Sequence, residues 1–173
     1  SEEKLAKFAG QPPKNFRQKF TSLEQLEAAV ILLYFKQAQD MLMGDKKFHK
    51  FENKDKQLAF LYVLIEHVSE DEDFLYEFQR KKKWDKKFAM RLMRMLNEQE
   101  LAWASVNWGP TKLDRLNVNP KQMVLTNHAL STIAFFLKDR SPDKQDTDAY
   151  IEKTTDVLYR LTDTSTLRSM VDL

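Results

Sequence analysis

Cysteine is absent from the 173-residue chain, and glycine and proline are scarce, at three and five. The missing thiols exclude disulfides, thiolate metal sites, iron–sulfur clusters and cysteine nucleophiles, and they fit a reducing, cytoplasmic compartment. So few turn formers conflict with a strand-rich fold, which needs a turn about every 8–12 residues. A dominant charge sign is also lacking: 28 basic against 26 acidic residues leave +2, too little to imply a nucleic-acid partner by itself. No apolar run nears the roughly 20 residues of a membrane span. The start, Ser1-Glu2-Glu3-Lys4, lacks the basic and apolar regions of a signal peptide. A first residue that is not Met, and an end on Val171-Asp172-Leu173 without a polar tail, suggest a trimmed chain.

What is present describes a folded protein: 42% hydrophobic and 31% charged residues. Long apolar stretches with few breakers predict an all-α, compact single-domain bundle of six or seven helices. Residues 1–20 read as a basic N-terminal arm with one short helix, and 21–173 as a single all-helical domain. Thr21 to Gly44 anchors the reading, since Ala28 to Phe35 is apolar around the whole helical wheel. Thr21 and Glu24 have capping-box spacing, and Gly44 stands where a left-handed C′ residue is expected. Asn53 then caps a second helix to about Val68, whose Leu58 to Ile65 is again apolar on every side. These two form the buried centre. Ser69 and Glu72 repeat the capping-box spacing before a short acidic-fronted helix to about Arg80, and a long helix follows from about Trp84 to Ser105. Asn107 to Thr111 is the strongest breaker. Asn119-Pro120 and Ser141-Pro142 open further helices to about Lys138 and Leu161, the second facing inward through Tyr150, Ile151, Thr154, Leu158 and Leu161. A last short helix follows Thr162.

The most pronounced surface feature is charge. At 100° per residue, Lys83, Lys87, Arg91 and Arg94 fall within about 80° of one another, away from the apolar arc of Trp84, Phe88, Leu92 and Leu96. Between Arg80 and Arg94 lie eight Lys/Arg and one Asp, a local net charge of +7. Arg80, Lys83, Lys87, Arg91 and Arg94 are therefore the candidate residues for binding a phosphate or an acidic partner. The plainer reading sets this stripe against Glu66 to Glu77, which carries six acids and no Lys/Arg. Trp108, beside Gly109-Pro110, is a candidate interface anchor, with a cover over the end of the bundle as the plainer reading. Met90, Met93 and Met95 mark either an adaptable groove or core filler.

Reactive chemistry is thin. His49, His67 and His128 make no i, i+4 pair, and no Glu-x-x-His pair accompanies them. His128 reads as a half-buried histidine with a hydrogen-bond partner. No glycine-rich phosphate loop or nucleophile elbow is present. No catalytic residue, metal ligand or cofactor is expected. The composite expectation is a non-catalytic adaptor or assembly component that presents helical surfaces to a protein partner, with self-association open. The alternative is a nucleic-acid-binding protein that uses the stripe and the basic arm (Lys4, Lys7, Lys14, Arg17, Lys19). A third reading is a helical bundle holding a small ligand or an active site around His67 or His128.

Overall fold

The computed structural model describes residues 23–81, 84, 86–98 and 120–162. The expected arm, Thr21, Lys83, Trp108 with its loop, and the last short helix lie outside them. The described residues form six α-helices and two short 3-10 turns, with no strand. α1 (Leu23–Met43) packs against α2 (Asn53–Ser69) and α4 (Lys86–Glu98). α3 (Glu72–Lys81) follows α2. α5 (Pro120–Phe136) and α6 (Gln145–Thr162) pack on each other and on α2, and α5 also meets α4. The all-α expectation is correct.

The core follows from helical spacing. On α2, Gln57, Phe60, Leu61, Leu64 and Val68 recur every three or four residues and all are buried. Phe60 meets Phe35 of α1 edge to face at 5.7 Å. Leu92 and Leu96 of α4, Ile133 of α5 and Ile151 of α6 are fully enclosed. Burying each such side chain contributes about 1.5–3 kcal/mol.

An apolar wheel does not bury α1 on all sides. Leu33 is 53% exposed, and Met41 and Met43 are also exposed, because among the described residues the main helical neighbours of α1 are α2 and α4, on one side of it. Tyr62 of α2 likewise reaches the surface. The end signals are also corrected. Gly44 donates its N–H to the Asp40 carbonyl (3.2 Å) without a left-handed backbone. Asn53 is the first helical residue of α2 rather than its cap. The Ser69 hydroxyl donates to the Glu66 carbonyl (2.6 Å), which extends α2 rather than capping α3.

Cross-helix contacts fix the register of α6. Against α2, Tyr159 Oη donates to the Asn53 carbonyl (2.8 Å), Lys54 pairs with Asp156 (2.8 Å), and Tyr62 Oη donates to Glu152 (3.4 Å). Against α5, Phe135 stacks on Tyr150 with centroids 4.4 Å apart, and His128 bonds Thr154. Leu161 is exposed, contrary to expectation, because Tyr159 already stands against the first residue of α2 and the last turn of α6 runs past it.

The turn between α5 and α6 is built on Asp139. Its carboxylate accepts from the Ser141 N–H and Oγ (2.8 and 2.7 Å) and from the Thr147 N–H and Oγ1 (2.8 and 2.6 Å). Asp143 and Lys144 adopt φ of 49° and 58°, so α6 starts at Gln145 rather than directly after Pro142. That bend points Lys144 Nζ at Glu72 of α3 (2.7 Å), at the Asp139 carbonyl (3.1 Å) and over the Phe136 ring.

Candidate functional site

The structure brings part of the predicted charged site together. Lys87 and Arg94 are exposed on α4 and Arg91 is half-buried, while Phe88, Leu92 and Leu96 turn inward. Trp84 stacks on Phe88 at 5.8 Å. Arg80 belongs to α3, where it pairs with Glu77 (2.9 Å) on an exposed face and contributes little. The acidic block is engaged elsewhere: Asp71 accepts from Tyr34 Oη (2.7 Å), and Glu72 holds Lys144. Among the described residues no acid pairs with Lys87, Arg91 or Arg94. The methionines divide by phase: Met90 is exposed, Met93 buried and Met95 half-buried.

A second set of residues escaped the sequence reading. Inside the bundle, Gln57 of α2, Thr126 of α5 and Thr155 of α6 are fully buried. Neither amide atom of Gln57 has a hydrogen-bond partner, nor does either threonine hydroxyl. An unmet buried polar group costs about 1–3 kcal/mol, so a fold rarely keeps several without a use for them. One signal was available, since Gln57 shares the inward phase of Phe60, Leu61 and Leu64.

His128 is half-buried on α5, and its network fixes its tautomer. The Thr154 hydroxyl donates to the Tyr150 carbonyl (2.6 Å), so the Thr154 oxygen can only accept from His128 Nε2 (2.8 Å). The proton therefore sits on Nε2. Nδ1 is a bare, buried acceptor with no partner. Burial lowers the imidazole pKa to about 4 and keeps the ring neutral near pH 7.

Asp139 behaves in the opposite way. The Thr147 hydroxyl, helped by the Ser141 hydroxyl and two backbone N–H groups, holds its carboxyl well below the usual range against the opposing effect of burial. It is a saturated structural anion. The helices α2, α5 and α6 instead bury neutral polar groups whose donors and acceptors are unmet, among apolar neighbours. No cluster of three His, Asp or Glu that could hold a metal occurs among the described residues.

A family model described as the tetracyclin repressor-like C-terminal domain matches residues 48–173. Neither a curated protein nor a solved structure matches the chain. Domains of this description are typical of transcriptional regulators, DNA-binding repressors whose C-terminal domain binds a ligand. The match overturns the expectation of a protein-interaction adaptor. That expectation rested on absent reactive-site features, segregated charge blocks and the suggestion of trimmed ends, and a ligand-binding regulator lacks catalytic motifs just as an adaptor does.

Proposed function

The chain belongs to the tetracyclin repressor-like family by its C-terminal domain, and from that premise we propose that it works as a non-catalytic, cytoplasmic transcriptional regulator. Residues 48–173 form its ligand-binding part, and two copies bind duplex DNA as a homodimer. The observation that carries this reading is the family match over most of the chain. Unmet polar groups inside the bundle support a ligand-binding role for the same residues. No helix among the described residues is long and apolar enough to cross a membrane, which agrees with a role on DNA.

If the C-terminal part senses a ligand, DNA contact falls mainly to the residues ahead of 48. Five of the first twenty are basic, against two acids. The stripe at Lys87, Arg91 and Arg94 lies inside the matched domain and plays at most a supporting part.

Selection of duplexes from a random library, followed by titration at about 50 and 200 mM salt, tests the reading. A common two-half-site sequence should emerge, with affinity falling steeply with salt as phosphate counterions are released. Reversing Lys14, Arg17 and Lys19 to Glu should weaken retention by about 100-fold or more, as several lost phosphate contacts imply. Reversing Lys87, Arg91 and Arg94 should change it far less. Failure to enrich any duplex at the lower salt would sink the proposal.

A further inference from the structure

We propose that α3 is a detachable strap, held onto the bundle by the turn between α5 and α6 through Lys144 and Arg140, so that the shape of that turn decides whether α3 is docked. This goes beyond the regulator reading and does not depend on it.

The helix cannot stand by itself. α3 has ten residues, and helices shorter than about 12–15 residues are marginal in water without tertiary packing. Its apolar hold is small. Among its described side chains only Leu75 is fully buried, while Tyr76 and Phe78 are half-buried against the core. Phe74 is 42% exposed and stacks on Phe78 of the same helix (6.0 Å). By contrast, α2 buries Phe60, Leu61, Leu64 and Val68. A segment with so little apolar surface at stake opens at a lower cost than the bundle it lies on.

Charge completes the docking. Glu72, in the first turn of α3, accepts from Lys144 Nζ (2.7 Å), and the Arg140 guanidinium lies over the Tyr76 ring one turn later (5.5 Å). Lys144 Nζ also donates to the carbonyls of Asp139 (3.1 Å) and Phe136 (3.4 Å) and sits over the Phe136 ring (4.6 Å). One ammonium thus joins the negative end of the α5 dipole to a carboxylate at the start of α3. Both cations come from the same short turn. Lys144 reaches Glu72 from a backbone φ of 58°, a conformation that persists where contacts offset its cost. The bend and the docking of α3 therefore support each other, and loss of either weakens the other. The hinge is marked as well. Asp71, just ahead of α3, accepts from the buried Tyr34 hydroxyl of α1 (2.7 Å), which pins the chain at the point about which α3 swings.

The test is amide hydrogen exchange, resolved by residue, on the whole chain at about 50 and 500 mM salt. The amides of Tyr76 to Arg80 should exchange about 100-fold faster than those of Phe60 to Leu64, by opening of α3 alone. Higher salt should widen that gap by about threefold, because Lys144 and Glu72 keep 28% and 30% of their side chains exposed and are partly screened. Lys144→Met keeps an unbranched stem and removes the charge. It should speed exchange in α3 about tenfold and leave Phe60 to Leu64 unchanged. Glu72→Gln should act in the same direction, and in the double variant the two effects should not add. Exchange in α3 as slow as in α2, a gap that salt does not alter, or a Lys144→Met effect spread equally over α2 and α3 would each overturn the proposal. If Lys144→Met fails to fold, the salt series on the wild type decides alone.

Discussion

Two buried polar regions, one at the start of α6 and one further along it, have opposite characters. Around Asp139, between α5 and α6, four donors converge on one carboxylate, and nothing polar is left over. Two turns further along α6, Thr155 is fully buried with its hydroxyl unpartnered, as is the amide of Gln57 on α2. The first arrangement spends its hydrogen bonds on holding a sharp turn. The second leaves its capacity unused at a cost in stability. Saturation separates polar groups that build a fold from those that serve it.

His128 offers the largest expected test of that contrast, because it is half satisfied: bonded at Nε2 and bare at Nδ1. Its pKa is about 4 in the fold, against 6.5 in the unfolded chain. The unfolded state thus binds the proton first, and stability falls as pH drops from about 6.5 to about 4. By the lower limit the loss from this group reaches about 3 kcal/mol. Urea denaturation across that window should show His128→Gln less acid-sensitive than the wild type by that amount. Equal profiles would mean that the ring is not buried as described.

Thr147→Val comes next and attacks the saturated side. It keeps the shape of a 1% exposed side chain and removes one donor to a buried carboxylate, so a loss of about 1.5–3 kcal/mol is expected by thermal denaturation. The contrast sharpens if Thr155→Val, the same change on the same helix, has the opposite sign. It fails if the two variants behave alike.

The smallest effect concerns the bend itself. Asp143 has φ of 49° and Lys144 φ of 58°, a region that costs most L-residues about 1–2 kcal/mol and Asp less. Asp143→Gly should relieve that strain and give it back partly through the greater freedom of the unfolded chain. A net gain of under about 1 kcal/mol is expected, measured as the urea midpoint. A clear loss would mean that the Asp143 side chain holds the turn.

The helices were legible because long apolar segments run between few breakers, with proline or polar residues marking their starts. The span of α2 followed from its apolar run after Asn53, and the start of α5 from proline after Asn119. Burial on all sides of α1 did not follow, since a wheel reports what a helix can bury and not how many neighbours it has. Leu33 is the example. The bend at Asp143 and Lys144 was hidden because glycine, the usual sign of a positive φ, stands at neither position. The charged arc on α4 was readable from 100° arithmetic. Gln57 was passed over because it precedes the apolar run, although its phase belongs to the core, and its lack of a partner is a property of three helices at once. Regulator and adaptor also look alike in a sequence without catalytic motifs.

The pairing of α2 with α6 has a consequence for synthesis. The residues that meet there, Asn53 with Tyr159 and Lys54 with Asp156, are 106 and 102 positions apart. At about 5–20 residues per second, α2 leaves the ribosome roughly 5–20 seconds before its partner exists. Phe60, Leu61 and Leu64 can meet α1 in that interval, but the α6 side of α2 stays uncovered until Gln145 to Thr162 have emerged. The face of α2 that meets α6 therefore forms its contacts later than the face that meets α1.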